Sequence, residues 1–138
     1  MANYSIVLDD YPDKDNTASG LLFRMKVALN DTGTGCPLYI NNKGSLMQCE
    51  AHKDSKIKVC NFLAVQPGEG MKLVLWSGSI RKDEWTWTQG DRIYVSTVEG
   101  AITNVKPEDD SLIQEIGVAT YPNVIMFRPK YSFFEGSI

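Results

Sequence analysis

Residues Trp87 to Thr103 read W-T-Q-G-D-R-I-Y-V-S-T-V-E-G-A-I-T and leave the backbone little choice. Ile93, Val95 and Thr97 alternate with Tyr94 and Ser96, a period of two built from β-branched and aromatic side chains. Glu99-Gly100 then supplies the turn into Ala101-Ile102-Thr103. The pattern predicts a β-hairpin, and no catalytic motif accompanies it.

The same grammar runs through the rest of the chain. Short apolar runs predict strands at Leu21–Leu29, Pro37–Ile40, Ser45–Cys49, Ile57–Val65, Met71–Ser77, Arg92–Thr97, Ala101–Asn104, Leu112–Thr120 and Val124–Arg128. Between them stand Asp31-Thr32-Gly33, Asn41-Asn42-Lys43-Gly44, Gln66-Pro67-Gly68-Glu69-Gly70, Gln89-Gly90-Asp91 and Tyr121-Pro122-Asn123, each with the residues a turn needs. Only Pro107 to Ile116 leaves room for a helical turn. Turns this frequent predict an all-β fold, an antiparallel barrel or sandwich. With 138 residues, 43% of them hydrophobic, one domain is expected, at 21–138. Residues 1–20 differ: after Ile6-Val7-Leu8 comes the polar, acidic stretch Asp9 to Gly20, expected to be an extended N-terminal arm.

The chain also repeats itself. Leu38-Tyr39-Ile40, a turn ending at Gly44 and Ser45-Leu46-Met47 resemble Ile93-Tyr94-Val95, a turn ending at Gly100 and Ala101-Ile102-Thr103. Downstream, Ser55 and Ile57 match Ser111 and Ile113, Cys60–Ala64 matches Ile116–Thr120, and a proline-containing turn leads to Met71–Leu75 or Val124–Phe127. Two similar four-strand units, at about 37–77 and 92–129, are expected to pair through their edges.

Composition narrows the function. A net charge of −3 argues against a phosphate-rich partner, so no nucleic acid is expected. No apolar run is long enough to cross a bilayer, and the first residues lack the basic start and apolar core of a signal peptide, so no membrane is expected. Cys36, Cys49 and Cys60 form an odd set without CxxC spacing and read as buried thiols. His52 lies in a polar connection and reads as a surface residue; Ser77-Gly78-Ser79 lacks the frame of a nucleophile elbow. No enzyme is expected. Asp9, Asp10, Asp13, Asp15 and Asn16 offer hard oxygens, but Thr17 and Ala18 stand where a calcium loop needs a ligand and a glycine; Glu108-Asp109-Asp110 reads as an exposed turn or helix start. No phosphate-cradling glycine loop occurs either, and neither metal nor cofactor is expected.

The aromatic residues are the live candidates. Trp85 and Trp87 flank Thr86, so an extended strand would put both indoles on one face, to fill a core, anchor an interface or stack on a sugar. Tyr131-Ser132-Phe133-Phe134 near the end of the sequence needs cover, from this chain or from a neighbouring subunit, with the neighbour favoured. With Tyr4, Ile6, Leu8 and Tyr11 of the arm, Trp85, Trp87, Phe133 and Phe134 make up the expected partner-binding set.

W-x-x-G-D-x-I-Y-V-S-T-x-x-G-x-I-T, followed by Ile113-Gln114-Glu115-Ile116-Gly117-Val118-Ala119 and Val124-Ile125-Met126-Phe127-Arg128-Pro129, resembles the small β-barrel modules of tailed-bacteriophage virion proteins. These serve as capsid decoration (cement) proteins and as domains of tail fibres. The resemblance implies a non-enzymatic homo-oligomer, often a trimer, made in the host cytoplasm and added to the capsid surface, with the major capsid protein as partner. The second role it allows is a tail module whose aromatic face recognises a host glycan.

Overall fold

A computed structural model describes residues 12–51, 59–107, 112–130 and 134–135. Every regular element among them is a strand: β1 (Thr17–Val27), β2 (Pro37–Ile40), β3 (Leu46–Gln48), β4 (Phe62–Ala64), β5 (Gly70–Arg81), β6 (Arg92–Val95), β7 (Ile102–Thr103), β8 (Leu112–Ile113), β9 (Glu115–Tyr121), β10 (Val124–Phe127) and β11 (Phe134–Glu135). The all-β expectation holds. β8 and β11 pair with each other, and the other nine strands form one sheet ordered β1-β3-β2-β4-β5-β10-β9-β6-β7, in which β1 also pairs with β5.

That order is palindromic about the β5–β10 pair: β3-β2-β4-β5 meets β10-β9-β6-β7. The registers repeat with it. Pro37↔Leu63 and Leu38↔Phe62 in the first half become Arg92↔Val118 and Ile93↔Gly117 in the second, 55 positions on. Individual bonds recur as well. Gly35 N–H donates to Ala64 O (2.8 Å), as Gly90 N–H does to Ala119 O (2.7 Å); Ala64 N–H donates to Cys36 O (2.9 Å), as Ala119 N–H does to Asp91 O (2.8 Å). Even the hairpin turns match: Asn41 Oδ1 accepts from Lys43 N–H (2.9 Å), and Ser96 Oγ accepts from Val98 N–H (3.0 Å), side-chain acceptors reaching two residues on.

β5 belongs to both halves. Its first half pairs with β4 at Leu75 and Val74; its second half, from Gly78 to Arg81, pairs with β10. On its other edge β1 runs along the whole strand, with a shift between Leu21↔Ser77 and Leu22↔Leu75 that leaves Trp76 as a bulge. Beyond the bulge the side chains change faces, so Leu73 and Leu75 share a core with Ile80.

Two cores result. Val27, Cys36, Leu38, Leu46, Phe62, Ala64 and Val74 form one, with Met25 packed against it. It fills a ring of pairings β1–β3–β2–β4–β5–β1, to which each strand gives at least one side chain. Ile80, Ile93, Ala119, Ile125 and Phe127 belong to the other, which also takes Leu63, Val65, Leu75, Cys49 and Cys60 from the first unit. β4 stands between the cores, so Phe62, Leu63 and Ala64 are all buried and read as an unbroken apolar run. Each large side chain buried here contributes about 1.5–3 kcal/mol.

Gln114 ties the second core shut. Its Oε1 accepts from Cys60 N–H (2.8 Å), and its Nε2 donates to Cys60 O (3.1 Å) and Lys130 O (2.9 Å), so a buried amide is fully satisfied.

Several expectations need correction. The sheet is mixed rather than antiparallel, because β1 docks beside the returning strand of the β2–β3 hairpin, which runs in its own direction; they meet at Val27↔Leu46. Thr17–Gly20, placed in the arm, is strand paired to Ser77–Arg81 territory, at Thr17↔Arg81 through Gly20↔Gly78. Small residues let those backbones approach: a Cβ on Gly78 would run into the Ser19 carbonyl oxygen and lie 2.9 Å from Gly20 Cα. β5 extends four residues past Ser77 for the same reason. The strand expected at Leu112–Thr120 is two strands, β8 at Leu112–Ile113 and β9 at Glu115–Tyr121, with different partners. Phe134 pairs its backbone with Ile113, so this chain itself holds that part of the tail.

Candidate functional site

Trp85 and Trp87 come together, their ring centroids 5.9 Å apart and tilted by 45°. They do so from a turn and coil rather than the extended strand expected: Trp85 N–H donates to Lys82 O and Trp87 N–H to Pro122 O, both at 3.0 Å. Both indoles are partly buried against the second core. Trp85 lies over Gly35, whose missing side chain makes the room, and the buried Nε1 of Trp87 has no acceptor among the described residues. These rings act chiefly as a lid on the core, though Trp85 also lines a groove of about 250 Å³ with Gly33, Thr34, Lys82, Gly100 and Ile102. Lys82 Nζ is already engaged there, donating to Thr34 O at 3.1 Å and lying 3.8 Å from Glu84.

Cys36 lines the same groove and is buried. Burial, reinforced by nearby Cys60 and Asp31, pushes its thiol up to about 12. All three cysteines are buried thiols outside any disulfide, as expected. Tyr4, Ile6, Leu8, Tyr11, Phe133, His52 and Glu108 to Asp110 lie outside the described residues, as does the side chain of Phe134. Asp13 and Asp15 are exposed, and Asp15 Oδ1 accepts from Asp83 N–H at 2.8 Å. No cluster of three metal-ligating side chains occurs among the described residues.

The more pronounced surface feature escaped the sequence reading. Alternation along β1 puts Leu21 and Phe23 on the face opposite Ala18 and Leu22, which point to the second core. On the neighbouring strands Met126 and Val118 pair with one another, and Ser79 pairs with Met126, all facing away from Ile80, Ile125 and Ala119. Leu21 (57% exposed), Phe23 (48%), Trp76 (39%), Met126 (39%) and Val118 (37%) therefore lie on one face across β1, β5, β10 and β9, an apolar stripe with Ser77 and Ser79 between its two ends. Phe23 and Trp76 meet edge to face at 6.5 Å, and Trp76 packs on Phe62 at 5.3 Å, so the bulge aims the indole and the ring core props it. The sequence signals were present, in Leu21-Leu22-Phe23 and Leu75-Trp76. Such runs place apolar groups on both faces, and only the sheet decides which face stays uncovered.

The groove is lined by Trp85, Cys36, Thr34, Ile102 and a lysine already engaged, and the stripe is apolar, crossed by Ser79 and bordered by Arg92, which pairs with Val118. No family model, no curated protein and no solved structure matches this chain.

Proposed function

We propose that the protein is a non-enzymatic structural module that attaches to the outside of a larger protein shell, the capsid decoration role that its resemblance to phage virion modules implies. The apolar stripe of Leu21, Phe23, Trp76, Met126 and Val118 carries this reading. An exposed apolar face on a sheet is what a protein partner covers, and aromatic side chains are the usual anchors of such contacts. In this reading the partner is the major capsid protein, and several copies act together.

The tail-module alternative asks for a sugar-stacking platform. Trp85 and Trp87 supply less support for it, since their rings are tilted to each other and largely spent on the core. Cosedimentation with empty capsids, and a rise in capsid melting temperature when the protein is added, test the decoration role. Leu21→Glu with Met126→Glu should abolish both effects while the free protein keeps its fold. Failure of the unaltered protein to bind or stabilise shells rejects the reading, and glycan binding lost in Trp85→Ala would replace it with the alternative.

A further inference from the structure

Among the described residues β1 is paired along the whole of one edge and only at one end of the other. Along β5 it is bonded from Thr17 to Val27, whereas its other edge meets β3 at Val27 alone, with Ala28 N–H donating to Leu46 O at 3.0 Å. Outward-facing N–H and C=O groups between Ala18 and Lys26 thus have no partner among the described residues. Natural sheets blunt such edges with charge or proline; here Arg24 and Lys26 guard one end, and Thr17-Ala18-Ser19-Gly20-Leu21-Leu22-Phe23 carries neither device. The repeat gives the vacant edge a meaning. β5 opens the second unit as β1 opens the first, and the outer edge of β5 is filled by β1 itself. Outside β1 the pattern calls for another strand, and none of the described residues supplies it.

The sequence contains a segment suited to it. Residues 1–11 precede the described fold, and Tyr4-Ser5-Ile6-Val7-Leu8 has the alternation of a strand with one apolar face. Asn16, at φ 59°, donates its N–H to Arg81 O (2.9 Å), Arg81 Nη1 donates to Pro12 O (3.3 Å), and Asp15 accepts from Asp83 N–H. These contacts hold residues 12–16 against the end of β5 and its following turn.

We propose that the β1 edge of each subunit accepts residues Tyr4–Leu8 of a second copy of this chain, so that copies assemble by exchanging strands. Main-chain hydrogen bonds supply the affinity, and alternate side chains of the incoming strand extend the apolar face of Leu21 and Phe23. Passed from each copy to the next around a ring, the exchange closes a small cyclic oligomer. This assembly needs no shell, so its failure and the failure of shell attachment are read separately.

Sedimentation velocity on the full chain, alone, provides the test. An oligomer is expected, with complete loss of its boundary to monomer in Ile6→Asp/Leu8→Asp, a variant altered only outside the described fold. Excess synthetic peptide of residues 1–11 should likewise release monomers from the unaltered chain, a readout that does not depend on any variant folding. A monomeric full chain overturns the proposal. So does an oligomer that survives both the double variant and the peptide, since it must be held together elsewhere.

Discussion

The two halves of the sheet share a plan and differ in closure. In the first, β1 reaches β3 and the strand pairings run around a ring with its own core. In the second, β5 takes the place of β1 and Ile102 that of Leu46, but no pairing joins β5 to β7; Lys82, Trp85 and Ile102 line a groove where the first half is shut. Trp85 and Trp87 cover that opening. Equivalent positions still do equivalent work: Leu38 and Ile93, Ala64 and Ala119, Val74 and Ile125 are buried pairwise, one member in each core. Closure of a unit therefore depends less on its own four strands than on the strand that precedes them, and β5, serving as last strand of one and first of the other, couples the two.

If β5 is the coupling element, Gly78→Ala should have the largest effect of any small substitution. The new Cβ meets Ser19 O at a φ of +143°, so stability to denaturant should drop by more than about 3 kcal/mol. Gly44→Ala, at a φ of +81° but with open space around it, should cost about 1 kcal/mol. Equal losses would remove the claim that β1 and β5 are held by close approach.

Truncating one core at a time comes next. Leu38→Ala and Ile93→Ala should each cost about 2–5 kcal/mol, and amide exchange should show both halves loosening in both variants. Loosening confined to the mutated half would mean that the units are independent. Gln114→Leu should cost about 1–3 kcal/mol by stranding the polar groups of Cys60, where a side chain of the second unit bonds the backbone between β3 and β4.

Titration gives smaller effects of opposite sign. The Cys36 thiol ionises at about 12 in the fold against an ordinary 9.0, so its contribution to stability is intact below pH 9 and lost as pH rises toward 12. Melting temperature should fall across that window, and less steeply in Cys36→Ala. Asp83 is held below the usual carboxylate range by hydrogen bonds from Arg81 and Asn123, so its contribution is present above that range and lost on acidification. Being exposed, it should move the acid limb of the stability curve least of all.

How legible this was in the sequence depended on whether the signal was local. The turns at Asn41–Gly44 and Ser96–Gly100 carry their own chemistry, side-chain acceptors and a glycine at positive φ, so the hairpins and their repetition could be read directly. The strand at Thr17–Gly20 could not, because Thr-Ala-Ser-Gly has no apolar alternation; it is strand only because Gly78 lies opposite Gly20. The parallel contact at Val27↔Leu46 and the bulge at Trp76 follow from how distant segments meet, which no local pattern encodes. For the same reason the sequence singled out Trp85 and Trp87 and passed over Phe23 and Trp76. Which apolar residues are left uncovered is a property of the finished sheet.

Sharing of β5 is most directly tested by native-state hydrogen exchange along that strand. Amides in Gly70–Leu75 and in Ser77–Arg81 that are bonded within the sheet should exchange with one common free energy, equal to that of global unfolding. Two distinct free energies, with one half opening while the other stays protected, would contradict the account and leave the molecule as two units that merely touch.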